Sequence, residues 1–471
     1  MERAKSIRQL ETICAPATGN VASAIGVIRL TGENAINIFK QIYRPLRGKK
    51  IDVKFSKKPK VKHGNIIDLN NRVIDEVVCT IFHNPYSYTG EDLVEISHHG
   101  SIYIQQEILK TIVALGARMA KNGEFSQRAF LNGKMNLSQA EAVADLIHSR
   151  TAVAHELALK QLKGGYQKAL TILRKDLVDL QTQLVLELDF SEEDVEFAHR
   201  SQLKTSMTNI ENALNRLMNS FDMGNAFKNG IPIAIIGKPN AGKSTLFNAI
   251  LNDERAIVSP ISGTTRDTIE EMVNLHGIEY RFIDTAGVRE SQDVIEQEGI
   301  SRSYKSIEKS NIILYVCDVQ EMIPEEAQYD LIQIDKEVSL KGKKIIIVAN
   351  KYDNEESLLP SEDRDWQTMG AVKASAKNKE GIEEIINRIT IISQRNLQSS
   401  NILMTNVRHY EAMQRTCQAL KTAKENLQTG MPTDIIAIDI QEALHYLGEI
   451  TGEVTTEELL GNVFSKFCIG K

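Results

Sequence analysis

No two cysteines of this chain stand as Cys-x-x-Cys, and the five present, Cys14, Cys79, Cys317, Cys417 and Cys468, are odd in number and scattered through 471 residues. That spacing offers neither a disulfide framework nor a zinc-holding set, and it fits a reducing cytoplasm. No apolar stretch approaches the length needed to cross a bilayer, and Met1-Glu2-Arg3-Ala4-Lys5 lacks the apolar run of a signal peptide. A cytoplasmic protein, peripheral to a membrane at most, is therefore expected. No repeat with a period of roughly 20–50 residues is apparent, and no low-complexity tract. Positive charge is not in excess either: 56 Lys and Arg against 62 Asp and Glu leave a formal charge of −6. The overall field repels phosphate, so any RNA contact has to come from a local basic patch.

What is present is the composition of a chain that folds, with 42% hydrophobic and 25% charged residues. Its length calls for about two to four domains, each with its own core. From Ile13 to about Arg118, the β-rich runs Ile25–Leu30, Val77–Phe82 and Leu93–Ile96 alternate with turn residues, and a helical pattern starts at Ile102. This reads as an α+β domain. From about Ser138 to Met218, leucines recur at three- and four-residue spacing, as in Leu157, Leu159 and Leu162, then Leu173, Leu177 and Leu180. These helices are expected to form a bundle, with the leucine stripe serving as core. After Gly230, the short β-branched runs Ile231–Gly237, Ile312–Val316 and Ile345–Ala349 are each followed by a loop and a helical stretch, the pattern of a doubly wound, mainly parallel sheet. Helical periodicity returns beyond Glu383. The expected layout is an α+β domain at 1–122, a discontinuous helical domain at 123–228 and 393–471, and an inserted α/β domain at 229–392. The acidic run Glu192-Glu193-Asp194-Val195-Glu196 reads as a solvated face, with docking of a basic partner as the alternative.

The chemistry is carried by the α/β segment. Gly237-Lys238-Pro239-Asn240-Ala241-Gly242-Lys243-Ser244 fits the Gly-x4-Gly-Lys-Ser phosphate loop, set after a strand and before a helix. Backbone N–H groups of such a loop wrap the phosphates, and the helix N-terminus adds its positive dipole end. Lys243 is expected on the β- and γ-phosphates and Ser244 on Mg²⁺, with Thr245 continuing the nucleotide-binding stretch. Gly263-Thr264-Thr265-Arg266-Asp267 is the natural first switch, with Thr265 sensing the γ-phosphate and completing the Mg²⁺ shell. Asp284-Thr285-Ala286-Gly287 closes the strand Tyr280–Ile283 and forms the second switch, Asp284 near the metal and the Gly287 N–H near the γ-phosphate. Asn350-Lys351-Tyr352-Asp353 ends another strand, and its carboxylate can accept both the N1–H and the 2-amino hydrogens of guanine. Adenine offers no such donor pair. Ser375-Ala376-Lys377 adds backbone contact to the guanine oxygen.

This order and spacing resemble the translation-factor-like GTPases, with GTP rather than ATP as substrate. Val288 stands where Ras-like proteins carry a water-positioning glutamine, so the catalytic polar group must come from elsewhere, with candidates in Arg289–Glu298. By pattern alone each of these is a solvated charge.

The terminus Phe467-Cys468-Ile469-Gly470-Lys471, with Leu459-Leu460-Gly461 before it, resembles the MnmE (TrmE) family of tRNA modification GTPases. So do Gly123-Glu124-Phe125-Ser126, Arg128-Ala129-Phe130-Leu131-Asn132-Gly133-Lys134, Gln139-Ala140-Glu141-Ala142 and Tyr88-Thr89-Gly90-Glu91-Asp92, so the resemblance spans essentially the whole chain. It implies an N-terminal tetrahydrofolate-binding and dimerisation domain, a discontinuous helical domain and an inserted GTPase domain. It also implies a reaction with a flavin-containing MnmG-type partner that places a carboxymethylaminomethyl or aminomethyl group on carbon 5 of wobble uridine in certain tRNAs. The implied folate contacts are Arg29, Glu95, Lys134 and Lys471: cations suit the glutamate carboxylates, and Glu95 can accept from the pterin amino group. A potassium ion held by Asn240, Ser259, Ile261 and Thr264 is implied in place of an arginine finger, within a nucleotide-binding loop that also includes Pro260, Ser262 and Gly263. Many members carry threonine where this chain has Ser259. Glu296, twelve positions after Asp284, is the implied catalytic carboxylate, and Cys468 is an implied catalytic thiol that by pattern alone simply packs. Two copies would pair across their nucleotides as a homodimer.

Two other functions fit parts of the sequence. A ribosome-assembly GTPase without covalent chemistry would need an appended RNA-binding module, and no Gly-x-x-Gly loop in a basic context follows residue 392. A purely structural dimerisation role for the N-terminal region would dispense with folate.

Overall fold

The structure, a computed structural model, describes residues 11–46, 55–189, 198–253, 256–258, 270–283, 296–353, 365–399 and 403–470. The chain divides into two compact units, one of Met1–Ile147, Gln161–Gly164 and His445–Lys471, the other of His148–Lys160 and Gly165–Leu444.

The first unit is built on a seven-stranded sheet. Its strands are β1 (Ile13–Pro16), β2 (Ile25–Thr31), β3 (Tyr43–Pro45), β4 (Lys60–Ile67), β5 (Val73–Phe82), β6 (Leu93–His99) and β7 (Arg118–Met119), in the order β3-β4-β5-β6-β2-β1-β7. All neighbours are antiparallel except β1 and β7, which are parallel. Strand residues alternate between faces, so Ile28 and Leu30 of β2 and Val77, Cys79 and Ile81 of β5 turn inward. They meet helices Ala35–Ile42 and Ile102–Ala114, whose Ile36, Phe39, Ile108 and Ile112 recur at helical spacing and are buried in the same core. The intervening β2 residue Arg29 falls on the opposite face, directly across from Glu95 of β6. A smaller core closes the unit: Leu460, Val463 and Phe464 of helix Glu457–Phe464, with Phe467, pack on Leu137 and Ala140.

The second unit holds a mainly parallel, doubly wound sheet. Its strands are β8 (Ile231–Ile236), β9 (Ala256–Val258), β10 (Glu271–Leu275), β11 (Ile278–Ile283), β12 (Ile312–Asp318), β13 (Lys344–Asn350) and β14 (Val372–Lys373), ordered β14-β13-β12-β8-β11-β10-β9. The first five in that order run parallel, while β10 is antiparallel to both its neighbours. Every residue of β12 is buried, as a central parallel strand covered on both faces requires. One face packs on helices Lys243–Leu251 and Ile382–Ser399 through Leu246, Phe247, Ile250, Ile385 and Ile389. The other packs on Ile307, Ala327 and Trp366. Helices Gln167–Asp189, Ala198–Met218 and Val407–Gln428 form the bundle of this unit, with the segments before and after the sheet packed side by side. Leu173, Leu177 and Leu180 are core, as their spacing predicts. Leu157, Leu159 and Leu162 are only half-buried; Leu157 lies on a short helix that rests against the sheet core rather than inside the bundle.

Leu177→Ala is expected to destabilise the bundle by about 2–5 kcal/mol, the cost of opening a cavity at a fully buried leucine. Ile172→Ala, on the same helix but 60% exposed, is expected to cost about 0.5 kcal/mol or less. Urea unfolding followed by far-ultraviolet circular dichroism compares the two; equal effects would place the helix differently.

Candidate functional site

The phosphate loop leaves the C-terminal end of β8. At Gly237 the backbone adopts φ +150°, and a Cβ there would lie 2.2 Å from the Val316 carbonyl oxygen of the adjacent strand. Gly242 has φ +90° and caps the helix Lys243–Leu251; a Cβ on it would lie 2.2 Å from the Asn350 amide nitrogen. Both glycines are therefore demanded by close approach as well as by backbone angle. The first-turn N–H groups of that helix, at Lys243, Ser244 and Thr245, have no intrahelical acceptor and so favour an anion. The Lys243 ammonium donates to the carbonyls of Gly237 at 2.9 Å and Lys238 at 2.8 Å. Burial pulls its pKa below the ordinary lysine value. Asn240, at φ +62°, stands exposed at the tip of the loop, Ala241 is buried, Ser244 is half-buried and Thr245 exposed.

Two other segments converge on this loop. Asn350, the last residue of β13 and 2% exposed, donates from Nδ2 to the Ala241 carbonyl at 2.8 Å and accepts on Oδ1 from the Ala376 N–H at 3.0 Å. One amide thus ties the phosphate loop to the Ser375–Lys377 loop. Ser375 is buried and its hydroxyl donates to Asp353 Oδ1 at 3.2 Å, while Asp353 and Lys377 are exposed. Lys351 has φ +65° and pairs through its ammonium with Asp318 at the end of β12. Lys373 places its ammonium 4.9 Å from the Tyr352 ring centroid. The structure therefore brings together Asn240 to Thr245, Asn350 to Asp353 and Ser375 to Lys377. Ser259, Pro260, Ile261, Ser262, Gly263, Thr264 and Thr265 lie outside the described residues, as do Asp284, Thr285, Ala286, Gly287, Val288, Arg289 and the acidic run 192–196. Glu296 opens the helix Glu296–Lys309, but its side chain is outside the described residues.

A second constellation occupies the first unit. Arg29 donates from Nε to Glu95 Oε1 at 2.8 Å and from Nη1 to the Gly470 carbonyl at 3.3 Å, and its guanidinium carbon lies 5.5 Å from the centre of the Tyr88 ring. The Tyr88 hydroxyl meets Ser126 Oγ at 2.8 Å, and burial pushes its pKa up. Lys134 donates to the Pro85 carbonyl at 2.9 Å, and Asn132 to the Thr89 carbonyl at 2.8 Å, both on the loop that carries Tyr88. The tail is seated by its backbone: the Cys468 carbonyl accepts from the Gly123 N–H at 3.4 Å, and Gly470, at φ +92°, sits where a Cβ would lie 2.1 Å from the Pro16 carbonyl oxygen. Cys468 itself is exposed. Lys471 lies outside the described residues. Among the described residues no helix is long and apolar enough to cross a membrane.

Sequence reasoning misses Asp318 and an ion-pair chain in the first unit. The signal for Asp318 is a single acid closing the apolar strand Ile312-Ile313-Leu314-Tyr315-Val316-Cys317. The chain runs from Glu91 through Arg128, 3.1 Å away, to Glu124, 3.2 Å from Arg128 and 2.7 Å from Arg118; all but Arg118 lie inside the motifs singled out from the sequence. Burial raises the Glu124 pKa, but bonds from Arg118 and the Lys121 N–H, with the charges of Arg118 and Arg128, outweigh it, so the carboxyl ends below its ordinary value. A carboxylate with a depressed folded pKa contributes stability above its unfolded pKa and loses it as pH falls through the folded one. Glu124→Gln is accordingly expected to cost about 1–3 kcal/mol near neutrality, with the gap to wild type closing as pH drops through about 4 and below. Thermal melts across pH measure this; a gap that persists at low pH would assign the loss to packing.

The comparisons with known proteins bear on the chain from end to end. A family model described as the MnmE helical domain matches residues 137–468, and one described as the N-terminus of the GTP-binding protein TrmE matches residues 12–134. A relative from Flavobacterium psychrophilum named tRNA modification GTPase MnmE is 46% identical over 466 residues, covering 98% of this chain and 99% of its own length. A protein of the same name from Parabacteroides distasonis is 45% identical over 466 residues, covering 98% and 100%. Among solved structures, the G domain of the T. maritima FeoB iron transporter is 25% identical over 34% of this chain and 97% of its own, with a TM-score of 0.24. Identity of this order over nearly the full length of both chains, together with two family models that cover the sequence almost without a gap, shows that the chain belongs to the MnmE (TrmE) family.

Proposed function

We propose that the chain is a GTPase that takes part in tRNA modification. The observation that carries the GTPase half is the Asn350 amide, which locks a phosphate-wrapping loop to the Ser375–Lys377 loop, whose buried serine in turn bonds the exposed Asp353. In this reading Asp353 accepts the two guanine donors, the Ala376 region faces the guanine oxygen, and Lys243 with the N–H groups of Gly242 to Thr245 holds the phosphates. Ser244 and Thr265 would hold Mg²⁺, and Asn240, Ser259, Ile261 and Thr264 a potassium ion. Hydroxyl, amide and carbonyl oxygens are the hard donors both ions take. Bound there, the ions supply positive charge beside the β- and γ-phosphate oxygens. Lys243 and the loop N–H groups would share that task, while Asp284 would help hold the metal and Glu296 would orient the attacking water.

The modification half rests on the relatives' shared name and on the constellation around the tail. Arg29, Glu95, Lys134 and Lys471 are assigned to a tetrahydrofolate derivative: Glu95 beside Arg29 would provide the acceptor, and the two lysines would pair with its carboxylates. What supports the assignment is that Arg29 and Glu95 set a cation and a carboxylate acceptor side by side next to the Tyr88 ring. Working with a flavin-containing MnmG-type partner in a heterotetramer or larger assembly, the protein would add a carboxymethylaminomethyl or aminomethyl group at carbon 5 of wobble uridine. It would act as a homodimer in the cytoplasm, with domains at 1–122, 123–228 with 393–471, and 229–392.

GTP turnover is expected to be at least about tenfold faster in potassium than in sodium at equal ionic strength, which removes general screening as a cause. A phosphate-release assay in the two chlorides reads this, and equal rates would return attention to Arg266 or Arg289 as an internal finger. Cys468→Ser is expected to keep that turnover while abolishing modification, measured as wobble-uridine composition by mass spectrometry of tRNA from cells carrying only the variant. Full modification would end the catalytic assignment of Cys468, and joint loss of both activities would indicate misfolding of the C-terminal helices.

A further inference from the structure

We propose that Asp318 is the positioning residue for guanine recognition, acting by drawing the Lys351 side chain across the floor of the base pocket. The proposal deepens the GTPase reading above and rests on it.

The placement follows from the strand order. β12 lies between β8, whose C-terminal end becomes the phosphate loop, and β13, whose C-terminal end becomes Asn350 to Asp353. Asp318 is the last residue of β12, paired in register with Asn350, and therefore stands between the loop that takes the phosphates and the carboxylate assigned to the base. Lys351 follows Asn350 directly. Its ammonium pairs with Asp318 Oδ2, so the side chain spans from the end of β13 back to the end of β12. A purine ring whose edge meets Asp353 and whose phosphates meet Lys243 has to pass over that line. Methylenes cover the flat face of a base without competing for its hydrogen-bonding edge.

Asp318 is equipped for this. Its side chain is 6% exposed, so it needs a cation partner to offset lost hydration, whereas the Lys351 side chain at 37% exposure has no such need. The two carboxylate oxygens have separate tasks: Oδ1 accepts from the Gln320 N–H at 3.0 Å and closes the turn after β12, which leaves Oδ2 for Lys351. The backbone of Lys351 is held at φ +65°, a region costly for a residue with a side chain. It is tied there from both sides, since the Asn350 carbonyl accepts from the Val319 N–H at 3.2 Å and the Tyr352 N–H donates to the Ala374 carbonyl at 3.1 Å. A fixed backbone and a fixed ammonium leave the stem little freedom, so the ordering cost is met before nucleotide arrives.

The test is a double-mutant cycle on the full chain with fluorescent GDP as probe. Asp318→Asn retains an acceptor for the Gln320 N–H but removes the charge. It is expected to weaken GDP binding about tenfold, in the range of a charged hydrogen bond, while turnover at saturating GTP is retained. Lys351→Met is expected to weaken binding as well, and adding Asp318→Asn to it should bring no further loss. Wild-type affinity in Asp318→Asn, or an equal loss from it in the Lys351→Met background, overturns the proposal and leaves Asp318 as a turn cap. Wild-type chain that binds GDP no better than ADP would instead defeat the GTPase reading itself. Should Asp318→Asn melt early, pulsed acetylation of the wild-type chain decides: GDP is expected to protect Lys351, and unchanged labelling of Lys351 on GDP binding overturns the inference.

Discussion

The side-chain amide of Asn350 is the contact on which the nucleotide site depends. It lies at 2% exposure, where each of its polar atoms has to be satisfied, and it satisfies both by holding the backbone of two loops that are otherwise distant in sequence. The consequence propagates. Because the amide nitrogen occupies the space beside residue 242, that position has to be glycine, and because the phosphate loop is pinned through Ala241, the helix after it starts at a defined point. The Ser375 loop is fixed by the same bond and by its own backbone pair with Glu380, which sets the Ser375 hydroxyl against Asp353. A buried bidentate amide of this kind specifies geometry more than it adds net stability, since most of its hydrogen bonding is traded for that of water.

The tail in the first unit follows the same economy with a different donor. Arg29 divides its guanidinium among Glu95, the Gly470 carbonyl and the face of Tyr88, a sharing to which the flat, forked group is well suited. The tail end is held by backbone groups at Cys468 and Gly470, and Gly470 is confined by the Pro16 carbonyl. Cys468 to Gly470 are therefore seated against residues of the N-terminal sheet and the helix that follows it.

The two constellations were unequally legible in the sequence. The phosphate loop and the Asn350 and Ser375 segments were readable because each is a short contiguous pattern at the end of an apolar run, and the strands that carry them formed where β-branched residues cluster. The Arg29 site was not, because its contacts join residues 66 and 441 positions apart, and no local pattern sets the register that puts Glu95 opposite Arg29. Asp318 was hidden for a related reason: at the end of a buried strand an acid resembles a turn residue until its neighbouring strands are known. The antiparallel edge β10–β9 of the α/β sheet was likewise unreadable, since the period of a strand does not report the direction of its partner.

Packing also bears on the chemistry assigned to the tail. Of the five cysteines, Cys14, Cys79, Cys317 and Cys417 are buried, and burial pushes each thiol up, Cys14 and Cys317 to about 12. A thiol in that range carries almost no thiolate near neutrality, and it is out of reach of any substrate. Cys468 alone is exposed, and its carbonyl rather than its sulfur anchors the segment. Neither packing nor hydrogen bonding of the described residues therefore requires a thiol at 468. Gly470 differs, since both its φ and the adjacent carbonyl exclude any other residue. Within one short tail, the constraint at Gly470 is accounted for by the fold and the presence of sulfur at 468 is not. The fold thus fixes the tail by backbone geometry, through the Cys468 carbonyl and the confined Gly470, and leaves the sulfur facing outward.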